Sequence, residues 1–295
     1  MKILITGGSG LLGQYLNFYL DSENDILTVY NRSAGNCKDY SNVCMNLTDA
    51  EKLRELFKQF KPEAVIHTAA VSRPEECDSL PFHHVMEINY YLNEHLVELS
   101  NEFNSRFIFT STDLVYNGDT GGMLDENSKP EPKSLYARTK TESENFIRNK
   151  SENYLILRTS LLYGIGLNGS SCSFHNMLQS FKKGERVRLF YDQFRTPLSL
   201  HNAASIIKKI ISSDIKNQTV NFGGREKVSR YELGEMVCSR FNFDKSLIER
   251  TSLHDFEGQN RVYDVSMKTD LLRSFGFEQE SIEESIEKIY IEFQI

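Results

Sequence analysis

Short apolar runs alternate with longer amphipathic stretches through the first half of the chain. The predicted strands are residues 2–6, 26–30, 43–47, 64–67, 106–110 and 154–157. Between them, apolar residues recur every three or four positions, as in the stripe of Leu12, Leu16 and Leu20, and this spacing is typical of helices packed on a sheet. Residues 48–51 resemble a capping box at the start of a second helix, and 80–103 are predicted as one long helix. The alternation predicts an α/β fold with a parallel sheet.

The alternation weakens beyond Gly164. Helical spacing persists in residues 174–181, 203–211 and 230–241, short strands are predicted near 186–190 and 219–222, and the acidic end 278–287 turns Ile282, Ile286 and Ile289 to one side. We expect residues 1–165 to form the main domain, with a contribution from about 192–215, and residues 166–295 to form mainly a small C-terminal α/β substrate lobe with terminal helices.

The composition narrows the class of protein. The chain has 295 residues, 39% of them hydrophobic, and a net charge of -7, which argues against binding to nucleic acid or to an anionic membrane. No apolar run is long enough to span a bilayer, and the first strand begins at residue 2, so a cytoplasmic protein is expected. The five cysteines are odd in number and lack a Cys-x-x-Cys pair, so we expect reduced packing residues with neither a disulfide frame nor a metal site.

A glycine-rich turn links the first strand to the first helix. Gly7 would permit a tight turn, Gly10 would let the backbone approach a diphosphate, and Gly13 would let the helix pack closely on the strand. The amides at the helix N-terminus would then face the anion. A flexible loop is the alternative, but the position between a strand and a helix favours a dinucleotide site in a Rossmann-type doubly wound parallel sheet.

Residues after the second and fourth strands refine the predicted cofactor site. Asn31 and Arg32 stand where an acidic residue would hold the ribose of NAD, and an arginine there can pair with the 2′-phosphate of NADP, so NADP(H) is preferred over NAD(H). A solvated surface arginine explains Arg32 equally well. The small side chains of Thr68, Ala69 and Ala70 would let a cofactor lie against the backbone.

Hydroxyl groups gather after the fifth strand. Ser111, Thr112 and Asp113 follow its carboxyl end, where α/β sheets place ligand chemistry. Tyr136 and Lys140 lie four residues apart and share one helical face. A tyrosine and a lysine at this spacing are usually solvent-exposed residues of an amphipathic helix. Their position after the hydroxyl-bearing strand is what makes this pair a candidate for catalysis. His67 lies within a buried strand pattern and is expected to be a core residue.

Taken in order, these motifs resemble the extended short-chain dehydrogenase/reductase superfamily. Within it, residues 109–118, 132–144, 157–160 and 192–194 look most like dTDP-4-dehydrorhamnose reductases. The resemblance implies transfer of a hydride from NADPH to the C4 ketone of a nucleotide-linked 6-deoxy sugar, in a cytoplasmic enzyme for which a homodimer is one option. It implies the catalytic residues Thr112, Tyr136 and Lys140. It implies cofactor contacts from Gly7, Ser9, Gly10, Leu11, Leu12, Gly13, Asn31, Arg32, Asn46, Leu47, Thr68, Ala69, Ala70, Tyr136 and Lys140. It implies substrate contacts from Ser72, Arg73, Asp113, Phe174, Gln193 and Arg195.

The chemistry gives each catalytic candidate a role. A ketone that becomes an alcohol needs a proton donor and a fixed hydrogen bond at its oxygen, which Tyr136 and Thr112 would supply. A free tyrosine titrates near pKa 10, so bringing that pKa to neutrality requires on the order of 4 kcal/mol. An ammonium about 4 Å away contributes roughly that much at an effective dielectric of about 20. We therefore expect Lys140 to lower the pKa of Tyr136 and also to hold the nicotinamide ribose.

Two departures from the family pattern leave the substrate open. Leu161 replaces a tryptophan that lies beside the sugar in family members, and Arg195 replaces a glycine. Asp113 is followed by Leu114 rather than by the glutamate of sugar-nucleotide dehydratases, so no carboxylate is ready to abstract the C5 proton. Two alternatives remain, a nucleotide-sugar epimerase and an NADP-binding regulatory subunit. The regulatory subunit of methionine adenosyltransferase resembles residues 69–74 and shares the fold.

Overall fold

The protein is described by a computed structural model covering residues 1–256 and 261–294. Its strands are β1 Lys2–Thr6, β2 Asp25–Tyr30, β3 Asn42–Cys44, β4 Ala64–His67, β5 Arg106–Thr112, β6 Tyr154–Thr159, β7 Leu162–Tyr163, β8 Val187–Phe190, β9 Phe194–Arg195, β10 Leu198–Ser199, β11 Gln218–Phe222, β12 Val228–Ser229 and β13 Ile248–Thr251. Its α-helices are α1 Leu11–Leu20, α2 Ala50–Phe60, α3 Pro74–Ser79, α4 Phe82–Met86, α5 Leu92–Glu102, α6 Leu135–Lys150, α7 Ser173–Lys182, α8 Leu200–Ile211, α9 Arg230–Phe241, α10 Asp270–Ser274 and α11 Ile282–Gln294.

The main sheet has the order β11-β6-β5-β4-β1-β2-β3, and all neighbouring strands in it are parallel. The strand order reverses between β1 and β4, which is the switch point where such sheets bind ligands. The predicted α/β class and Rossmann-type doubly wound parallel sheet are confirmed.

Alternate residues of each central strand supply two cores. In β1, Ile3 and Ile5 pack with α1 and α8 on one side of the sheet, whereas Leu4 packs with α2 and α5 on the other. Strands buried on both faces read as continuous apolar runs, which is why the sequence revealed them. The stripe of Leu12, Leu16 and Leu20 is buried against the first core, as expected.

The smaller lobe has its own core, built mainly from α7, α9 and α11. Ile282, Ile286 and Ile289 are buried there, as the sequence predicted. One segment assigned to the lobe lies elsewhere, because β11 pairs with β6 as the outermost strand of the main sheet. The main sheet therefore takes in residues 218–222, beyond the 192–215 that the sequence suggested.

Three other predictions need correction. The third strand ends at Cys44, so residues 45–47 lie outside it. Helix α2 is capped by Asp49, whose carboxylate accepts the Lys52 amide at 3.2 Å, and not by Thr48. The long helix begins only at Phe82, since Pro81 holds the preceding residue extended, and residues 87–91 form a π-helical segment within it.

The cysteines and His67 agree with most of what was expected. All five cysteines are free, and Cys37, Cys77 and Cys238 are buried, but Cys44 is exposed and packs less than predicted. His67 is a core residue whose Nδ1 lies 2.6 Å from the Thr6 hydroxyl. Burial, and then the nearby Lys140 charge, lowers the pKa of His67 to about 3, so it stays neutral.

Candidate active site

A cleft of about 600 Å³ opens at the carboxyl ends of the central strands. It contains the switch point between β1 and β4, where the sheet order predicts ligand binding. Its lining residues come from the glycine-rich turn, from the ends of β2, β4, β5 and β6, from the segment after β3, from β9, and from α6 and α9. They include Gly7, Ser9, Gly10, Leu11, Leu12, Tyr30, Asn31, Met45, Asn46, Leu47, Thr68, Ala69, Ala70, Val71, Ser72, Ser111, Thr112, Asp113, Leu114, Tyr136, Lys140, Ser160, Leu161, Arg195 and Arg230.

The glycine-rich turn has the geometry expected of a diphosphate cradle. Gly7 has a φ of +71°, and a Cβ there would lie 2.7 Å from the Ala69 nitrogen. A Cβ on Gly13 would lie 2.2 Å from the Gly7 carbonyl oxygen, so only glycine allows α1 to pack this closely. The amide of Gly10 donates to that same carbonyl at 2.9 Å, which closes the turn. The predicted turn and close packing are confirmed.

Most of the expected cofactor residues lie on the cleft. Gly13 lies behind its wall, in keeping with a packing role. Arg32 is exposed after β2 and is not among the lining residues, although its neighbour Asn31 is. The hydroxyl of Thr68 donates to the Thr6 carbonyl at 2.8 Å, and this bond ties the ends of β4 and β1 together.

Helix α6 brings Tyr136 and Lys140 to the cleft beside Thr112. Ser134 caps the N-terminus of this helix, and its hydroxyl accepts the Ala137 amide at 3.2 Å, so Tyr136 lies in the first turn. The ammonium of Lys140 donates to the Thr110 carbonyl at 2.9 Å. Thr112 is the last residue of β5, and its hydroxyl accepts the Leu114 amide at 3.2 Å. The structure therefore brings all three predicted catalytic residues into one cleft.

The electrostatics of this group differ from what the sequence suggested. Burial and the charge of Asp113 raise the pKa of Tyr136 above its usual value, although a hydrogen bond with Thr112 opposes the shift. Burial lowers the pKa of Lys140 to about 7. Its ammonium lies 6.0 Å from the centre of the Tyr136 ring. The prediction that Lys140 lowers the pKa of Tyr136 is wrong, because burial dominates both groups.

A buried ion pair holds α6 against the sheet one turn beyond Lys140. The fully buried Glu144 carboxylate accepts Arg158 Nη2 at 2.8 Å and the Ser111 hydroxyl at 2.6 Å. Arg158 also donates to the Tyr116 hydroxyl at 2.8 Å. Sequence reasoning missed this network. The signal available was a glutamate four residues after Lys140 on the same helical face.

The expected substrate residues divide into two groups. Ser72, Asp113 and Arg195 line the cleft. Arg73 is exposed outside it, Phe174 is buried in the lobe core against Tyr163, and Gln193 lies behind the wall. Burial raises the pKa of Asp113, while the Arg195 guanidinium, 3.6 Å away, acts in the opposite direction.

Sequence reasoning also missed two polar residues of the cleft wall. Ser160 donates to the Asp113 carboxylate at 3.0 Å, and Arg230 reaches the cleft from the first turn of α9. The available signal for Ser160 was its place just after β6, at the same edge of the sheet as Thr112. Arg230 opens a helix in the lobe, and nothing local in the sequence distinguishes it from a surface arginine.

The whole chain, residues 1–295, matches the family described as RmlD substrate binding domain. The chain belongs to this family. It is thus a member of the extended short-chain dehydrogenase/reductase superfamily, as the motifs predicted.

Several known proteins are similar to this RmlD family member over most of their length. A probable low-salt glycan biosynthesis reductase from Haloferax volcanii is 27% identical over 259 residues, covering 87% of this chain and 86% of that protein. The methionine adenosyltransferase 2 subunit beta of Xenopus laevis is 25% identical over 285 residues, covering 94% and 83%. In fold, the chain is similar to a dTDP-4-dehydrorhamnose reductase from Bacillus anthracis in complex with NADP, with a TM-score of 0.85, 24% identity and 99% of each chain covered.

Across residues 1–256 and 261–294, none of the helices combines the length and the apolar character needed to cross a bilayer.

Proposed function

We propose that this protein is an NADPH-dependent reductase of the 4-keto group of a nucleotide-linked 6-deoxy sugar. One observation carries the proposal: Thr112, Tyr136 and Lys140 share the cleft with a glycine-rich turn that leaves no room for a side chain. The family match and the reductase relatives support the same reaction class.

The cradle at the switch point fits a dinucleotide. The amide end of α1 and the side-chain-free backbone at Gly7 and Gly10 suit a diphosphate. Thr68, Ala69 and Ala70 present a wall of small side chains beside it. A bound reduced nicotinamide would supply the hydride.

The chain's own residues handle the proton and the oxygen. Tyr136 stays protonated at neutral pH because its pKa is raised, so its hydroxyl is available as a donor to the carbonyl oxygen. Thr112 offers a second hydroxyl at the end of β5 to fix that oxygen. Lys140, which donates to the Thr110 carbonyl, is placed to hold a ribose hydroxyl.

The proposal is tested with a panel of nucleotide-linked 4-keto sugars and NADPH, followed by the loss of NADPH absorbance. Turnover of at least one ketosugar is expected, with the alcohol at C4 identified in the product. Omission of the sugar controls for NADPH oxidation alone. Tight NADPH binding without turnover of any sugar in the panel would contradict the proposal.

Arg32→Ala is expected to reduce the preference for NADPH over NADH by about tenfold. A charge-assisted hydrogen bond to a phosphate contributes roughly 1.5 to 3 kcal/mol, and the low end suits an exposed side chain such as Arg32. The affinities of both cofactors are measured by fluorescence titration. The NADH affinity of the variant is the internal control and should not change. Equal affinities for the two cofactors in the parent protein would overturn the NADPH assignment.

NADPH binding is expected to take up about half a proton at pH 7. Lys140 has a pKa of about 7 and is then about half protonated, and a cofactor held by its ammonium favours the charged form. Because binding takes up protons, the affinity should fall as the pH rises from 7 to 9. In this window a phosphate with a second pKa near 6 is almost fully ionised.

Calorimetry in buffers of different ionisation enthalpy measures the proton uptake directly. The control is Lys140→Met, in which the uptake between pH 7 and 9 should disappear. Uptake that persists unchanged in that variant would mean that another group titrates.

The second candidate function is that of an NADP-binding regulatory subunit. It is favoured by the similarity to methionine adenosyltransferase 2 subunit beta over 94% of this chain. Copurification with the methionine adenosyltransferase of the same cells, together with the absence of ketosugar turnover, would support it. A turnover-competent protein that does not associate with that enzyme would exclude it.

A cytoplasmic location stays a prediction, and so does a homodimer. Light scattering of the purified protein, with and without NADPH, distinguishes a dimer from a monomer.

A further inference from the structure

Three charged side chains form one wall of the cleft next to the candidate catalytic residues. They are Asp113, Arg195 and Arg230. Asp113 and Arg195 are both buried, and Asp113 follows directly after Thr112. Arg230 is half-buried, so two guanidinium groups share this wall with one carboxylate, and the net charge of the three side chains is positive.

Asp113 is the better satisfied of the three. One carboxylate oxygen accepts the Ser160 hydroxyl at 3.0 Å and faces Arg195 Nε at 3.6 Å. The other accepts the Thr112 hydroxyl at 3.4 Å. Arg195 and Asp113 therefore largely neutralise each other's charge.

Arg230 has only neutral partners among residues 1–256 and 261–294. Its Nε donates to the Gln193 side chain at 3.2 Å and its Nη1 to the Ser173 hydroxyl at 3.2 Å. These two bonds fix the plane of the guanidinium and leave Nη2 without a hydrogen-bond acceptor in that part of the chain. No carboxylate there lies within ion-pair distance of Arg230.

The charged neighbours of Arg230 act in opposite directions on its pKa. Burial, and then the like charge of Arg195, lowers the pKa of Arg230 to about 10, with Asp113 acting only as a partial counterweight. The group is still a cation at neutral pH. Arg230 is half-buried, and its guanidinium is held by two neutral partners with a donor to spare, which suits it to binding an oxyanion.

We infer that Arg230 binds the diphosphate of the substrate, with Arg195 held back by Asp113 as the lesser contributor. This inference rests on the proposed function, which requires a nucleotide-linked sugar. The glycine-rich turn at α1 already provides for the diphosphate of the cofactor, so an anion at Arg230 belongs to the second ligand. A diphosphate, with at least two negative charges, compensates a guanidinium better than a sugar hydroxyl does.

The experiment measures binding of dTDP and UDP, the nucleoside diphosphates without a sugar, to the protein saturated with NADP⁺. Saturation blocks the cofactor cradle, so the ligand reports on the second anion site. The variants are Arg230→Gln and Arg230→Lys, and the matched control is Arg188→Gln. Arg188 is an exposed arginine of the lobe, paired with Glu249 on the surface.

Arg230→Gln is expected to weaken the affinity for the nucleoside diphosphate by about ten- to a hundredfold, while NADPH affinity and the control variant stay at parental values. Arg230→Lys keeps the charge but loses the planar fork, so a loss of about three- to tenfold is expected. If the glutamine variant fails to bind NADPH and is therefore misfolded, the nucleoside diphosphate affinity of the lysine variant tests the inference instead.

Parental affinity for dTDP and UDP in a folded Arg230 variant would overturn the inference, and so would a parent protein that binds neither. Failure of the inference can be told from failure of the proposed function. Ketosugar turnover with Arg230-independent binding refutes only the inference. Arg230-dependent binding of a nucleoside diphosphate without turnover refutes only the reductase.

Discussion

Tyr136→Phe is expected to lower the turnover number for ketone reduction by about 10²- to 10⁴-fold while changing NADPH affinity by less than about twofold. In the proposed reaction the Tyr136 hydroxyl donates a proton to the carbonyl oxygen, so its removal would affect the transition state far more than ground-state binding. Tyr136 lies within reach of the substrate oxygen if that oxygen is also fixed by Thr112.

The surroundings of Tyr136 allow a phenylalanine in the same position without a change in packing. Its ring packs against the buried Cys77 and Val85, and phenylalanine keeps those contacts. No cavity is created in the core, and no charge is left unpaired. The loss of activity is therefore expected without a loss of stability.

Stopped-flow measurement of NADPH oxidation under single-turnover conditions separates the chemical step from product release. Tyr154→Phe is the matched control, since Tyr154 is equally buried but begins β6, away from the cleft. Parental rates for Tyr136→Phe would exclude Tyr136 as the proton donor.

Glu144→Ala is expected to destabilise the protein by roughly 3 to 5 kcal/mol, because it leaves the Arg158 guanidinium buried without its counter-charge. The Ser111 hydroxyl loses its acceptor in the same substitution. Since Glu144 lies one turn after Lys140, any fold that survives should also hold Lys140 less firmly.

Urea unfolding followed by circular dichroism measures the free energy of unfolding. Glu142→Ala on the exposed face of the same helix is the control and should cost less than about 0.5 kcal/mol. In the double variant Glu144→Ala, Arg158→Met the unpaired charge is gone, so we expect part of the stability to return. A double variant no more stable than Glu144→Ala would show that the cost comes from packing.

The sequence was most informative where the physics is local. A strand buried on both faces must be continuously apolar. The positive φ of Gly7 and the close approach of Gly13 to the Gly7 carbonyl are requirements that arise within a dozen residues. The first residue of a helix depends on single capping or helix-breaking residues, and when two candidates are adjacent the sequence does not show which one acts. Helix α2 is capped by Asp49 and not by the predicted Thr48. Helix α4 begins at Phe82, after Pro81, and not at the predicted residue 80.

The electrostatics of the site could not be read from the sequence, because burial is a property of the assembled fold. The sequence suggests a lysine charge near a tyrosine, but it does not show that both are desolvated, and desolvation sets the direction of both pKa shifts. Arg230 and the pair of Glu144 and Arg158 were missed for the same reason. Their partners lie 14 to 57 residues away along the chain and come together only in the assembled fold.

The position of β11 bears on how such proteins can be recombined. The chain leaves the sheet after β6, builds α7 and β8 of the lobe, and then returns to supply α8 and β11 before completing the lobe. A chain cut after residue 165 would lack both returning elements, exposing one edge of β6 and the apolar surface of α1 that α8 covers. The lobe is therefore built from two separate segments of the chain, and it cannot be exchanged between proteins at a single point. Exchanging it to alter substrate specificity requires at least three crossover points, one near residue 165 and one on each side of residues 200–222.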